Sequence, residues 1–180
     1  MLTSAVAISG SPSRTSNSRQ LLAHALVRLA AAGARTRAVD LADLPADALL
    51  ARTKADTVED ALKAVASAQV VVVGTPVYRA SYSGLLKLFF DLLEPDALAG
   101  KVVVLIATGG GPAHQLVLDH GLRPLAASVG ATAVPTAVYA AERQFTAGVP
   151  DEAVIARIDR AVAEAVSLAS SAQPLLTGGR

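Results

Sequence analysis

Apolar residues along this chain fall into two alternating rhythms, short β-branched runs and longer stretches with helical spacing. Ala5-Val6-Ala7-Ile8 reads as a first strand, closed by Ser9-Gly10-Ser11-Pro12. Leu21, Leu22, Ala25, Leu26 and Leu29 then follow helical spacing, which predicts a helix from about Ser18. Gly33 supplies its C-terminal stop. Thr36 to Leu41 is a second strand, and Arg35 and Arg37 point to an outer place in the sheet. Asp43 to Ala55 reads as loop with one helical turn. Asp56 and Glu59 have the spacing of a capping box ahead of Val58, Ala61, Leu62 and Val65.

Val70-Val71-Val72-Val73 is continuously apolar, the pattern of a parallel strand buried on both faces, and it is expected to end at Gly74-Thr75-Pro76. A helix over Gly84 to Leu93 follows. Val102 to Ile106 is a second buried strand, ended by Thr108-Gly109-Gly110-Gly111. A helix from about Ala113 toward Val129 should be kinked or interrupted by Pro124. Ala131 to Val138 is the fifth strand, and Val154, Ile158, Val162 and Val166 mark a last helix with one apolar stripe.

Five strands alternating with helices predict a three-layer α/β/α domain around a parallel sheet. Right-handed crossovers leave the flavodoxin-like order 2-1-3-4-5 as the leading topology. Ligands of such sheets bind beyond the carboxyl ends of the strands, at the switch point between strands 1 and 3. The loops after Ile8, Val73 and Ile106 therefore carry the chemistry. A single domain over 1–170 is expected, with 171–180 as a flexible tail.

Composition narrows the function classes. Sixteen Lys and Arg against fifteen Asp and Glu give a net charge of +1, no electrostatic case for nucleic acid or an anionic membrane. The chain has no cysteine, which excludes disulfides and thiolate chemistry. Met1-Leu2-Thr3-Ser4 lacks a signal-peptide pattern, and no apolar run approaches the ~20 residues of a membrane span. The expectation is a cytoplasmic protein. His114 and His120 are six apart, on different helix faces, so no shared metal is expected.

The first loop, Ser9 to Ser18, is dense in hydroxyls and opens a helix. Unpaired N–H groups and the dipole at such an end suit a phosphate monoester. The plainer alternative is that Ser16 or Ser18 is only an N-cap. The loop fits neither a Walker loop nor a dinucleotide fingerprint, for it has one glycine and no lysine. The second loop, Gly74 to Gly84, offers Tyr78 and Tyr82 as flat faces beside exposed backbone, suited either to a planar heterocycle or to covering the sheet end. The third, Thr108-Gly109-Gly110-Gly111, lets backbone approach a ligand closely or serves as a flexible connection.

Gly10-Ser11-Pro12, Ser16-Asn17-Ser18, the run Thr75 to Lys87, and Ala107-Thr108-Gly109-Gly110 with Ala113-His114 together resemble the NAD(P)H-dependent FMN reductase family. The resemblance is strongest to the reductases of two-component sulfonate monooxygenase systems and reaches to about Tyr139. It implies that Ser11, Ser16, Asn17 and Ser18 hold the FMN phosphate. It implies that Pro76, Val77, Tyr78 and Arg79 hold the ring, with Thr108, Gly109 and Gly110 completing the site. NADPH is the implied reductant, with NADH as an alternative, and a flavin-dependent monooxygenase is the implied partner. Arg14, Arg79 and Lys87 are the cations available to a 2′-phosphate. Several relatives have Tyr where this chain has His120, in a helix associated with the subunit interface.

Hydride transfer to a flavin uses the reactivity of the cofactor, so no catalytic side chain is expected. Two alternatives share these loops: a quinone or azo-dye reductase that keeps its FMN, and a flavodoxin-type electron carrier, a class that tends to be strongly acidic. A homodimer or homotetramer is expected. Leu85 to Leu93 is apolar nearly all round its helix, and Leu116, Val117, Leu118, Leu122 and Leu125 pose the same problem in the next. In a monomer, the loop from Asp43 to Ala55 would have to cover these helices.

Overall fold

The valines from Val70 to Val73 stand at the centre of the sheet and divide between two cores. Val71 and Val73 face one cluster with Val6, Ile8, Val103 and Leu105. Val70 and Val72 face the other with Ala5, Ala7, Val102, Val104 and Ile106. Successive side chains of a strand point to opposite faces, so a run apolar at every position needs a layer on each side.

The computed structural model describes residues 2–171. In chain order the elements are β1 (Ser4–Ser9), α1 (Asn17–Ala31), β2 (Arg35–Asp40), α2 (Ala46–Leu49), α3 (Asp56–Ser67), β3 (Val70–Tyr78), β4 (Ser81–Tyr82) and α4 (Gly84–Phe90). Then come β5 (Val102–Gly109), a 3₁₀ turn (Pro112–Gln115), a π-helical turn (Leu118–Leu122), α5 (Arg123–Ser128), β6 (Thr132–Ala133), β7 (Val138–Ala141), the small hairpin β8 (Phe145–Thr146) and β9 (Val149–Pro150), and α6 (Glu152–Ser171). The parallel order is β2-β1-β3-β5, with β6 and β7 both pairing on the far side of β5. This is the expected flavodoxin-like order. Helices α1 and α6 cover one face of the sheet, and α3, α4 and α5 cover the other.

Several boundaries differ from the sequence expectation for identifiable reasons. The fifth strand is split: β6 and β7 flank Val134 to Ala137, where Pro135 has no N–H to give to a ladder. The long helix over 113–129 is three short turns, and the π-turn lies immediately before Arg123-Pro124 at the start of α5. β3 does not end at Gly74 but runs on to Tyr78 and turns back into β4, an antiparallel addition absent from the expected sheet. Ala55, not Asp56, takes the N-cap of α3, so Asp56 and Glu59 sit in its first turn and form no capping box. At the other end of α1 the expectation holds. Gly33 has φ +95°, its N–H donates to Ala30 O and that of Ala34 to Leu29 O, the two bonds of a Schellman cap.

The helix after β7 runs through Ser171, and the rest of the expected tail lies outside the described residues. Leu41, Ala48 and Leu49 share a core with Leu86, Phe89 and Phe90, so the segment after β2 does cover α4. Val117, Leu118, Leu122 and Leu125 are also buried within the chain, and of the five only Leu116 is exposed. The apolar content of that region is therefore not in itself an argument for a partner.

Candidate functional site

Strand register brings the three loops together. Ser9 stands beside Gly74, Gly74 beside Ile106, Pro76 beside Thr108, and Gly109 beside Ala141. One cleft of about 300 Å³ lies at this edge, lined by Ser11, Ser13, Thr15, Ser16, Asn17, Pro76, Val77, Tyr78, Thr108, Gly109, Gly110 and Glu142.

The first loop leaves β1 through Gly10, whose N–H donates to Gly74 O at 2.8 Å. A Cβ there would stand 2.9 Å from Leu86 Cβ, so glycine allows the chain to cross the start of α4. Ser11 is buried, and its hydroxyl accepts from the Ser13 N–H. Ser16 occupies the N-cap of α1, yet its side chain caps nothing. Its hydroxyl instead shares a 2.8 Å hydrogen bond with the buried Ser18 hydroxyl. A 15-residue helix thus begins at the cleft with no side-chain oxygen over its first N–H groups. Those N–H groups and the positive dipole end fit a phosphate monoester and do not fit the plain N-cap alternative.

The second loop is a β-hairpin. Tyr78 faces Ser81 and Val77 faces Tyr82, with Arg79 and Ala80 as its two turn residues. Both have positive φ, +51° and +64°, the signature of a type I′ turn built here without glycine. Behind it runs a buried hydrogen-bond chain. The Thr75 hydroxyl donates to Pro76 O and accepts the Ser83 N–H. The Ser83 hydroxyl donates to Gly10 O and accepts the Leu86 N–H, capping α4. This fixes the ring-side loop to the phosphate-side loop.

The third loop packs closely on its neighbours. A Cβ at Gly109 would meet His114 Nδ1 and Tyr139 Oη, each at 2.9 Å. The Tyr139 hydroxyl donates to Gly111 O at 2.6 Å. Burial, and secondarily the charge of Glu142, raise the Tyr139 phenol above its ordinary range.

Nine of the eleven residues singled out from the sequence line the cleft. Ser18 lies behind Ser16 and reaches the site through it. Arg79 is at the exposed hairpin tip, outside the lining. Ser13, Thr15 and Glu142 were not singled out. Ser13 and Thr15 belong to the hydroxyl-rich loop and were within reach of that signal. Glu142 required knowing that β7 ends at the same edge. Of the cations near the loops, Arg14 pairs with Asp43 and Lys87 with Asp91, while Arg79 makes no ion pair among the described residues. Among the described residues no three His, Asp or Glu side chains group as a metal site, and no helix is long and apolar enough to cross a membrane.

The sequence profile of a family described as NADPH-dependent FMN reductase matches residues 3–146. The FMN reductase (NADPH) of Pseudomonas aeruginosa is 41% identical over 145 residues, 78% of this chain and 78% of that protein. The NADH-dependent FMN reductase SfnE of Pseudomonas putida is 39% identical over 168 residues, 91% of this chain and 90% of that one. The apo crystal structure of the NADH:FMN oxidoreductase EMOB superposes with a TM-score of 0.86 at 40% identity, covering 96% of this chain and 92% of that chain. A WrbA-like flavodoxin from Agrobacterium tumefaciens superposes with a TM-score of 0.68 at 16% identity, covering 96% and 100%, which shows a shared fold alone.

Proposed function

This chain belongs to the NADPH-dependent FMN reductase family, and on that premise we propose how its cleft serves the reaction and where the product goes. It is an NAD(P)H-dependent oxidoreductase with FMN and NAD(P)H as its flavin and nicotinamide nucleotides. The observation that carries the site assignment is the uncapped start of α1 opening into the same cleft as Pro76, Val77, Tyr78 and the glycines after β5.

FMN, when bound, would supply the chemistry as acceptor of a hydride from the reduced nicotinamide. The chain's own residues bind and orient. Ser11, Ser16 and Asn17, with the first N–H groups of α1, would hold the phosphate, and Ser18 would orient the Ser16 hydroxyl. Pro76, Val77 and Tyr78 would line one side of the ring. Thr108, Gly109 and Gly110 would line the other, where absent side chains let backbone come close. Arg79, exposed beside the cleft, would meet a nucleotide phosphate rather than the ring. No acid–base or nucleophilic side chain is assigned.

In this reading reduced FMN leaves for a partner monooxygenase of the sulfonate type, supported by the sequence resemblance of the Thr75 to Lys87 run. The protein acts as a single domain and a homodimer or homotetramer. The test is NADPH and NADH oxidation followed at 340 nm, a wavelength absorbed by the reduced nicotinamides alone of the pair, with and without added FMN. Oxidation that depends on added FMN, with sequential kinetics, supports the reading. Ping-pong kinetics with co-purified FMN would favour a flavin-retaining quinone or azo-dye reductase. Oxidation with neither would overturn both.

A further inference from the structure

The cleft carries a charge that opposes its ligand. Among the described residues its lining holds no lysine or arginine and one ionised side chain, Glu142. The donors at the phosphate end, Ser11, Ser13, Thr15, Ser16 and Asn17, are all neutral. The arginines nearest in sequence are already neutralised, Arg14 by Asp43 and Arg19 by Asp40. A phosphate monoester brings a charge of about −1.5 to −2 at neutral pH, so it meets fixed dipoles on one side and a carboxylate on the other.

Glu142 lines the same cleft as these donors. It follows Ala141, which pairs with Gly109, and so stands one step beyond the sheet edge. The segment after it folds back over the first turn of α1. A Cβ on Gly148 would lie 3.1 Å from Gln20 Nε2. The carboxylate has no evident structural task, for Glu142 is exposed and makes no ion pair or side-chain hydrogen bond among the described residues. Its charge is felt beside the third loop: after the larger effect of burial it contributes to raising the phenol of Tyr139, whose hydroxyl donates to Gly111 O.

We propose that Glu142 sets the flavin specificity and residence time of the cleft, repelling the 5′-phosphate so that FMN exchanges between turnovers. The inference rests on the reading of this cleft as the FMN site. It gives the exchange of FMN a physical basis: the phosphate is gripped by neutral donors and an uncapped helix end, and one like charge limits that grip. The same repulsion acts on reduced FMN, which keeps the phosphate, and so favours release of the product.

The test compares Glu142→Gln and Glu142→Asp with the wild-type chain. FMN and riboflavin affinities are read by flavin fluorescence quenching at low and high salt. Glu142→Gln should tighten FMN about three- to tenfold at low salt, the scale of an exposed charge interaction doubled for a dianion. Riboflavin, which has no phosphate, should bind as before, and added salt should shrink the FMN effect. Glu142→Asp should behave as wild type. Turnover at saturating FMN should fall in Glu142→Gln as release slows. If FMN and riboflavin both bind more weakly to Glu142→Gln, the carboxylate accepts hydrogen bonds from the ribityl chain and the proposal is overturned. Unchanged FMN affinity overturns it as well. Failure of the wild-type chain to bind FMN at all would instead remove the site reading beneath it.

Discussion

Ser83 and Gly10 stand 73 positions apart, yet the Ser83 hydroxyl donates to the Gly10 carbonyl over 2.5 Å inside the core. Through Thr75 the same serine holds the start of the ring-side loop. One residue, through its hydroxyl to Gly10 and its N–H to Thr75, therefore sets the spacing between the two grips on a single ligand, and it does so from outside the cleft.

Ser83→Ala should leave the Gly10 carbonyl buried without a donor and the Leu86 N–H without its cap. Each unsatisfied buried group costs about 1–3 kcal/mol, so urea unfolding should show a loss in that range. The informative readout is binding: FMN, which needs both loops, should lose more affinity than riboflavin, and Ser83→Thr should restore most of it. Equal losses for the two flavins would reduce Ser83 to a structural residue.

The Ser16–Ser18 pair refines what the phosphate loop should do. Ser16 lines the cleft and Ser18 does not. Ser16→Ala removes a hydrogen bond to a charged group, typically worth about 1.5–3 kcal/mol, so FMN affinity should fall roughly tenfold or more. Ser18→Ala should produce a smaller loss, and the double variant should be no worse than Ser16→Ala. Additive losses in fluorescence titrations would mean that Ser18 contacts the phosphate by itself.

The hairpin turn stores strain at Ala80, whose φ is +64°. A left-handed residue with a Cβ costs roughly 1–2 kcal/mol, and glycine costs about 0.5–1 kcal/mol in unfolded-chain entropy. Ala80→Gly should therefore stabilise by about 0.5–1 kcal/mol and raise the thermal midpoint by ~2 °C. A lower midpoint would show that the turn does not hold Ala80 in this conformation.

The strands and the loops that join them were legible because their signals are local. Valine runs mark β3 and β5, and Gly33 marks the end of α1. What escaped depends on contacts between distant residues. Gly74-Thr75-Pro76 looks like a strand end, but β5 runs alongside as far as Thr108 and keeps the ladder paired. Ser83 resembles any helix cap until the fold places Gly10 above it. Glu142 follows a strand whose expected end, Val138, fell three residues short of its actual one at Ala141. Burial of Leu118, Leu122 and Leu125 could not be foreseen from a helical repeat, because the segment is not one continuous helix.

Glu164 should make stability depend on acid. Burial pushes its carboxyl up, but hydrogen bonds from the Thr136 hydroxyl and N–H, together with Arg160, outweigh this and leave it below the usual range. A carboxylate lowered on folding contributes stability above its unfolded pKa and loses it as pH falls through the folded value. The stability gap between wild type and Glu164→Gln should therefore be largest near neutral pH and close on acidification. Chemical denaturation across that range checks it, and a gap that widens in acid would have the sign wrong.

The assembly should be larger than one chain, although most of the apolar side chains of α4 and of the turns before α5 are buried internally. What remains is narrower. Leu116 is 54% exposed beside the third loop, and His120 is exposed on the π-turn. Across the molecule, Leu62, Leu92, Leu93 and Ala97 line an apolar cleft of about 430 Å³ between α3 and the segment after α4. The prediction is an interface that includes the face of Leu116 and His120, where one exposed leucine gains from leaving water and a charge would not be tolerated. Light scattering at micromolar concentration should give a multiple of 18.2 kDa. Leu116→Asp and His120→Asp should each move the mass toward one chain with unchanged helical circular dichroism. A wild-type mass of one chain would rule out the oligomer. A multimer that both variants leave intact would place its contact on the apolar cleft instead, where Leu93→Asp becomes the variant that dissociates it.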